Sequence, residues 1–110
     1  MNVQFMSNII RKAVVEKGLG DTVTPTSTLK GSYEEVAGFT ICYDDGRHSE
    51  LSFITDLNSE YNKYLTFEIT AHHKDGSVRQ RKRLDYDYTM YDGQTKFYEI
   101  VNDIKKRLKL

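Results

Sequence analysis

Tyr64-Leu65-Thr66-Phe67-Glu68-Ile69-Thr70-Ala71-His72-His73-Lys74-Asp75-Gly76-Ser77-Val78-Arg79-Gln80-Arg81-Lys82-Arg83-Leu84-Asp85-Tyr86 decides the fold. It is the centre of a longer stretch, Asn62–Met90, that reads as one β-hairpin closed at Asp75-Gly76. From Tyr64 to Ala71 polar and apolar residues alternate, the period of a strand with one wet face. From Val78 to Tyr88 the residues suit a pleated surface. Asp-Gly favours a two-residue type I′ turn, in which both central residues take positive φ and the twist matches that of the strands. That turn pairs Lys74 with Ser77, His72 with Arg79, Thr70 with Arg81, Glu68 with Arg83 and Thr66 with Asp85. On the other face Ala71 meets Gln80, Ile69 meets Lys82, Phe67 meets Leu84 and Leu65 meets Tyr86. A three-residue loop with Gly76 in a bulge would set Phe67 against Arg83 and Leu65 against Asp85. A one-residue slip sends every side chain to the opposite face, so the apolar pattern selects the two-residue turn. The base of the hairpin is then apolar at Leu65, Phe67, Leu84 and Tyr86. Toward the tip the same face turns polar at Lys82 and Gln80, so the tip is expected to project beyond the core.

Upstream, Phe39, Ile41 and Tyr43 alternate with Thr40 and Cys42, the pattern of a strand. Asp44-Asp45-Gly46 follows, then Ser49–Ile54. A type I turn with Gly46 in the bulge position pairs Phe39 with Leu51 and Ala37 with Phe53, and this register keeps apolar residues together. Gly20–Gly31 holds the only proline, Pro25, among four threonines, and both an edge strand carrying Val23 and Leu29 and an ordered loop are open readings. Ser32-Tyr33-Glu34-Glu35 is read as one helical turn capped by Ser32.

Two helices bracket the strands. Val3, Met6, Ile10, Ala13 and Val14 fall at helical spacing, with Phe5, Ile9 and Val15 widening the stripe. Asn2 is the expected N-cap. Gly18 is expected in the left-handed stop position, with Leu19 turned back on Val14. Near the C-terminus Phe97, Ile100, Val101, Ile104 and Leu108 form a second stripe behind an Asp92 cap. Lys105, Lys106, Arg107 and Lys109 crowd its last turns, where cations suit the helix dipole. The expected fold is therefore α+β, in the order α-β-β-β-β-α: an antiparallel four-stranded meander of two consecutive hairpins, with the N-terminal and C-terminal helices packed on one face. The other face stays wet and carries Thr40, Cys42, His48, Glu50, Thr66, Glu68, Thr70, His72, Arg79, Arg81, Arg83, Asp85 and Asp87.

At 110 residues the chain is expected to form a single domain, burying roughly 65% of its unfolded surface. Lys+Arg and Asp+Glu are each 16, so the formal net charge is zero and no global field draws the chain to nucleic acid or anionic lipid. One cysteine, Cys42, rules out an intrachain disulfide and fits a reducing compartment. No apolar run approaches the ~20 residues of a membrane span. No charged segment followed by an apolar stretch opens the chain. The expectation is a soluble, cytoplasmic protein.

Catalytic and metal motifs fare poorly. The register sets Cys42 across from His48 with Glu50 diagonal, a nucleophile, a base and a carboxylate. A flat strand surface offers neither an oxyanion hole nor a helix N-terminus to activate the thiol, so no catalytic residue is assigned and no enzyme is expected. Asp56-Leu57-Asn58-Ser59-Glu60 begins like a calcium loop, but Tyr61 and Phe67 stand where glycine and the bidentate glutamate belong. His72 and His73 point to opposite faces of a strand and cannot share a metal. His48 joins His72 only if the hairpins pack to bring them together. No metal and no cofactor are assigned.

What stands above background is a basic patch of His72, Lys74, Arg79, Arg81 and Arg83 on one side of the projecting tip. Two readings apply to it. Arginines on a wet strand confer solubility and a weak cross-strand pair with Glu68. Alternatively, the tip is a finger for phosphate or for an acidic protein surface. The second reading makes the chain a small non-enzymatic binding protein that docks on a larger partner protein through the hairpin and the polar sheet face. Inhibitor, immunity and regulatory proteins, including those encoded by phages and mobile elements, share this size and composition. The competing class is a single-stranded nucleic-acid binder using the polar face. That class needs aromatics for base stacking, and only Tyr64 and Tyr91 lie there in this register. No membrane partner is expected.

Overall fold

A computed structural model describes residues 2–56, 64–87 and 93–110. In chain order the elements are α1 (Val3–Lys17), β1 (Thr22–Lys30), β2 (Glu34–Cys42), β3 (His48–Asp56), β4 (Tyr64–His72), β5 (Val78–Asp87) and α2 (Gly93–Arg107). The strands form one sheet in the order β1-β2-β3-β4-β5, every neighbouring pair antiparallel. The α+β class and the meander between two helices are as the sequence implies. The sheet has five strands among the described residues, one more than expected.

The added strand is Thr22–Lys30. Its threonines and Val23 favour an extended chain, and it pairs along β2 from Thr22 opposite Cys42 to Lys30 opposite Glu35, with a slip between Thr26 and Leu29. Pro25 lacks an N–H, which an edge strand tolerates because one row of its backbone groups faces outward. The helical turn expected over Ser32–Glu35 does not form. Gly31 N donates to Glu34 O at 2.9 Å, and Glu34 and Glu35 are already the first residues of β2.

α1 starts and stops as its sequence dictates. The Asn2 side chain accepts from Phe5 N at 2.9 Å. Gly18 takes φ 73°, with Gly18 N bonded to Val15 O at 3.1 Å and Leu19 N to Val14 O at 3.2 Å, the paired bonds of a Schellman stop. Its buried stripe is narrower than the pattern suggested, since Phe5 and Val15 are exposed. The Asp92 cap, Tyr91 and the two ends of the Asn62–Met90 stretch lie outside the described residues.

Both helices pack on one face of the sheet. Val3, Met6, Ile10 and Val14 of α1 and Ile100, Val101 and Ile104 of α2 join Phe39, Leu51, Phe53, Leu65 and Phe67 in one core. Phe53 and Phe67 face each other across β3 and β4, ring centroids 5.0 Å apart. Tyr86 anchors α2 to β5 by donating its hydroxyl proton to the Asp103 carboxylate at 2.6 Å, while Arg107 bonds the same oxygen at 3.0 Å. Burial, then the carboxylate, pushes the Tyr86 phenol above its usual range. Accepting the Tyr86 proton, with help from Arg107, holds Asp103 below the usual carboxylate range.

The second hairpin has the expected register but not the expected turn. Phe67 faces Leu84 and Glu68 faces Arg83. The loop, however, runs from His73, whose N–H bonds Ser77 O at 2.8 Å, and closes with Gly76 N on His73 O at 2.9 Å. Gly76 has φ 89°, while Asp75 is not among the residues with positive φ, so the turn is not type I′. It is the three-residue loop with glycine in the bulge position. His72 therefore pairs with Val78 rather than Arg79, and Ser77 bonds His73 rather than pairing with Lys74. Arg79 is an extra residue with no partner in the ladder, and from Ala71 opposite Gln80 onward the pairing is the one the apolar pattern demands. Without this bulge, Phe67 would stand across from Arg83 and charges would enter the core.

Candidate functional site

With both helices on one face, nothing among the described residues covers the other face of the sheet. The basic residues sit on β5, an edge strand whose Val78–Arg83 stretch is exposed along its whole length. Charged side chains on an edge also block pairing with another sheet.

The structure distributes the basic patch more widely than a single finger. Arg81 lies 3.5 Å from Glu68, and Arg83 lies 3.2 Å from Asp85. Glu68 thus takes Arg81, its diagonal neighbour, although Arg83 stands directly across from it. Asp85 also accepts from the Thr66 hydroxyl at 2.7 Å, and that bond, then Arg83, holds its carboxyl below the usual range. Both arginine side chains remain more than 60% exposed, so most of their N–H donors still face water. Arg79 has no ion pair among the described residues.

Arg79 instead turns toward the loop end of the sheet. There it lines a hollow of about 190 Å³ with Tyr43, Arg47, His48, Ser49 and His72. Lys74 stands in the loop of the second hairpin and bridges to the first, since a methyl group placed on Gly46 would come within 2.9 Å of Lys74 Cγ. Arg47 pairs with Asp45 at 2.6 Å and lies over the Tyr43 ring, 6.0 Å from its centre.

His72 is not the exposed contact residue expected. Its side chain is only 14% exposed. Its Nδ1 lies 3.0 Å from Gly76 O, and its ring stacks on His48 at 4.4 Å between centroids, 10° from parallel. Cys42 faces His48 and His48 faces His72, so the three form one row across β2, β3 and β4. The Cys42–His48 pairing follows the turn at Gly46 and was legible in the sequence. The His48–His72 pairing joins strands separated by residues 57–63, and no short turn fixes it. Matching the alternation of Leu51 and Phe53 to that of Ile69 and Phe67 would have found it. Glu50 turns to His72 at 3.7 Å, not to the Cys42–His48 pair. Both helices lie on the opposite face, so among the described residues no helix N-terminus approaches the thiol.

The far end of the open face holds residues that sequence reasoning placed in a helical turn. Tyr33 and Glu34 line a second hollow, of about 340 Å³, with Ile54, Asp56, Tyr64, Thr66 and Arg83. Tyr33 and Tyr64 are 69% and 50% exposed, and tyrosine beside arginine is the composition of protein interfaces. The chain matches no protein-family model, no curated protein and no solved structure.

Proposed function

We propose that this chain is a non-enzymatic binding protein that docks the open face of its sheet, together with the β5 edge, on an acidic surface of a larger protein. The observation that carries the reading is that Arg81, Arg83, Tyr33 and Tyr64 stand exposed on the face of the sheet opposite both helices. Arginine and tyrosine are the residues that most often anchor protein interfaces. Charge complementarity names the occupant. Val78–Arg83 carries Arg79, Arg81 and Arg83 without an acidic residue in the run, with Lys82 on the helix side of the same edge, and Lys74 extends it at the loop. The pairs with Glu68 and Asp85 hold two of the guanidinium groups in place without covering them, which lowers the ordering cost of binding. Inhibition or regulation of the partner is the role we assign.

The test is quantitative affinity capture with two baits, the wild-type chain and the triple variant Arg79→Ala, Arg81→Ala, Arg83→Ala. These surface changes should leave the melting temperature nearly unchanged. A partner that is retained by wild type, lost with the triple variant and weakened by salt supports docking on an acidic protein surface. Equal retention by both baits overturns it. In a parallel arm, tight binding of a single-stranded oligonucleotide that falls steeply with salt would replace the reading with the nucleic-acid one.

A further inference from the structure

We infer that His48, Glu50 and His72 form a binding site for a divalent transition-metal ion of the zinc class. This inference stands apart from the docking role above. The ligand atoms of the three side chains lie within 4.8 Å of one another. Tetrahedral ligands at zinc bond lengths of about 2.0–2.2 Å are ~3.4 Å apart. His72 Nε2 and Glu50 Oε1, at 3.7 Å, are already near that spacing. The Glu50 side chain is 54% exposed and His48 is half-buried, so each has room to close the remainder.

The state of His72 is what points to a cation. Gly76 O can only accept, so the 3.0 Å contact places the proton of a neutral ring on Nδ1. That leaves Nε2 as a bare lone pair. It is screened from solvent and has no hydrogen-bond partner. The Glu50 carboxylate oxygen 3.7 Å away is also an acceptor. Two acceptors aimed at each other across 3.7 Å call for a positive centre between them. A second proton on His72 would serve those two groups and leave the stacked His48 ring without a role. A metal ion takes all three. The bond from Nδ1–H to a backbone carbonyl is the support that metal-ligating histidines ordinarily have.

Two histidines and one carboxylate leave a fourth position open, as in other three-ligand zinc sites. The metal with neutral imidazoles and one carboxylate carries a net positive charge. Arg79 and Arg47, which line the same hollow, do not block this centre; they add to the attraction for an anion at the open position. Cys42 lies beyond His48 and is outside the cluster, so the ligand set is nitrogen and oxygen only. The ion would tie β3 to β4, the neighbouring strands with the longest stretch of sequence between them, residues 57–63.

Isothermal titration of the intact chain with zinc chloride in a non-chelating buffer tests the inference, with thermal melting beside it. The expected result is one zinc per chain, a raised melting temperature, and binding that weakens as pH falls because protons compete for the same nitrogens. His72→Ala and, separately, His48→Gln should abolish the heat, with circular dichroism showing each variant folded. His73→Ala, on the exposed loop, and Cys42→Ser should bind as wild type does. Cobalt(II) should give tetrahedral absorption without a thiolate charge-transfer band. No heat with the wild-type chain overturns the site, as does zinc binding that survives loss of either histidine or is lost with Cys42→Ser.

Discussion

The two hairpins closed by Asp-Gly, β2–β3 and β4–β5, share a loop type and differ in the strands beyond it. In the first, Tyr43 N bonds Arg47 O at 3.0 Å and Gly46 N bonds Tyr43 O at 3.1 Å; in the second, His73 N bonds Ser77 O at 2.8 Å and Gly76 N bonds His73 O at 2.9 Å. The glycines have φ 91° and 89°. Each loop aspartate accepts from the backbone two residues on, Asp45 from Arg47 N at 3.0 Å and Asp75 from Ser77 N at 2.9 Å. Both carboxyls are held below their usual range by these bonds, with the Ser77 hydroxyl the larger cause at Asp75. Beyond the loops the likeness ends. β2 and β3 pair without interruption from Cys42–His48 to Glu34–Asp56, whereas β4 and β5 slip by one residue at Arg79. Asp-Gly therefore specifies the loop, and the apolar pattern specifies the register. Where the two disagree by one residue, a bulge absorbs the difference.

The same contrast separates the base of the second hairpin from its tip. Phe67 is 1% exposed, against β3 and under the helices. Phe67→Ala should cost ~3–5 kcal/mol, the usual range for a buried phenylalanine, enough to unfold a domain of ordinary stability. Urea denaturation followed by circular dichroism measures it. A midpoint equal to wild type would mean that the base is as dispensable as the tip.

Tyr86→Phe should come next, at about 1–2 kcal/mol. It removes a hydrogen bond to a charged acceptor, discounted because the Asp103 side chain is 39% exposed. The pH dependence carries a sign. The folded phenol is raised, so its contribution is intact below the unfolded value of about 10 and is lost as pH rises above it. The folded Asp103 is depressed, so its contribution is intact above about 3.9 and is lost as pH falls below that. Urea midpoints should show a steeper alkaline loss for wild type than for Tyr86→Phe. Parallel alkaline limbs would mean that the Tyr86–Asp103 bond does not hold α2 to β5.

How much of this was readable without coordinates depended on whether a local signal and a long-range one agreed. Phe39 opposite Leu51 follows from Gly46 and from the apolar alternation together. Phe67 opposite Leu84 was reached from the alternation through the wrong turn, because a type I′ turn and a glycine-bulge loop followed by a second bulge give the same register downstream. Thr22–Lys30 was ambiguous for a physical reason: it is an edge strand with Pro25, a slip and exposed threonines, so it lacks the alternation that burial imposes. The basic run was visible, but its pairings were not. Whether Glu68 takes Arg83 across the ladder or Arg81 diagonally depends on rotamers and twist. The His48–Glu50–His72 cluster needed the β3–β4 register, which only matching apolar faces could supply.

The smallest expected effect breaks the comparison most directly. If Arg79 is only the residue that reconciles loop with register, then deleting it should turn the second hairpin into a copy of the first. His72 would still face Val78, and Gln80 would follow directly to face Ala71, so the pairs from Ala71 to Tyr64 keep their partners. No core residue moves to the other face. The deletion removes an exposed side chain without an ion pair among the described residues, and surface changes of that kind usually stay within ~0.5 kcal/mol. Deleting Thr70 from β4 is the contrast. It widens the mismatch between loop and apolar pattern to two residues instead of closing it, and it also breaks the β3–β4 register. Thermal melting should leave the Arg79 deletion near wild type and the Thr70 deletion strongly destabilised. Cross-strand nuclear Overhauser contacts between Phe67 and Leu84 should persist in the first. If the two deletions destabilise equally, the bulge does more than absorb one residue. Its turn of Arg79 toward His48 and His72 would then be part of what holds the loop end of the sheet together.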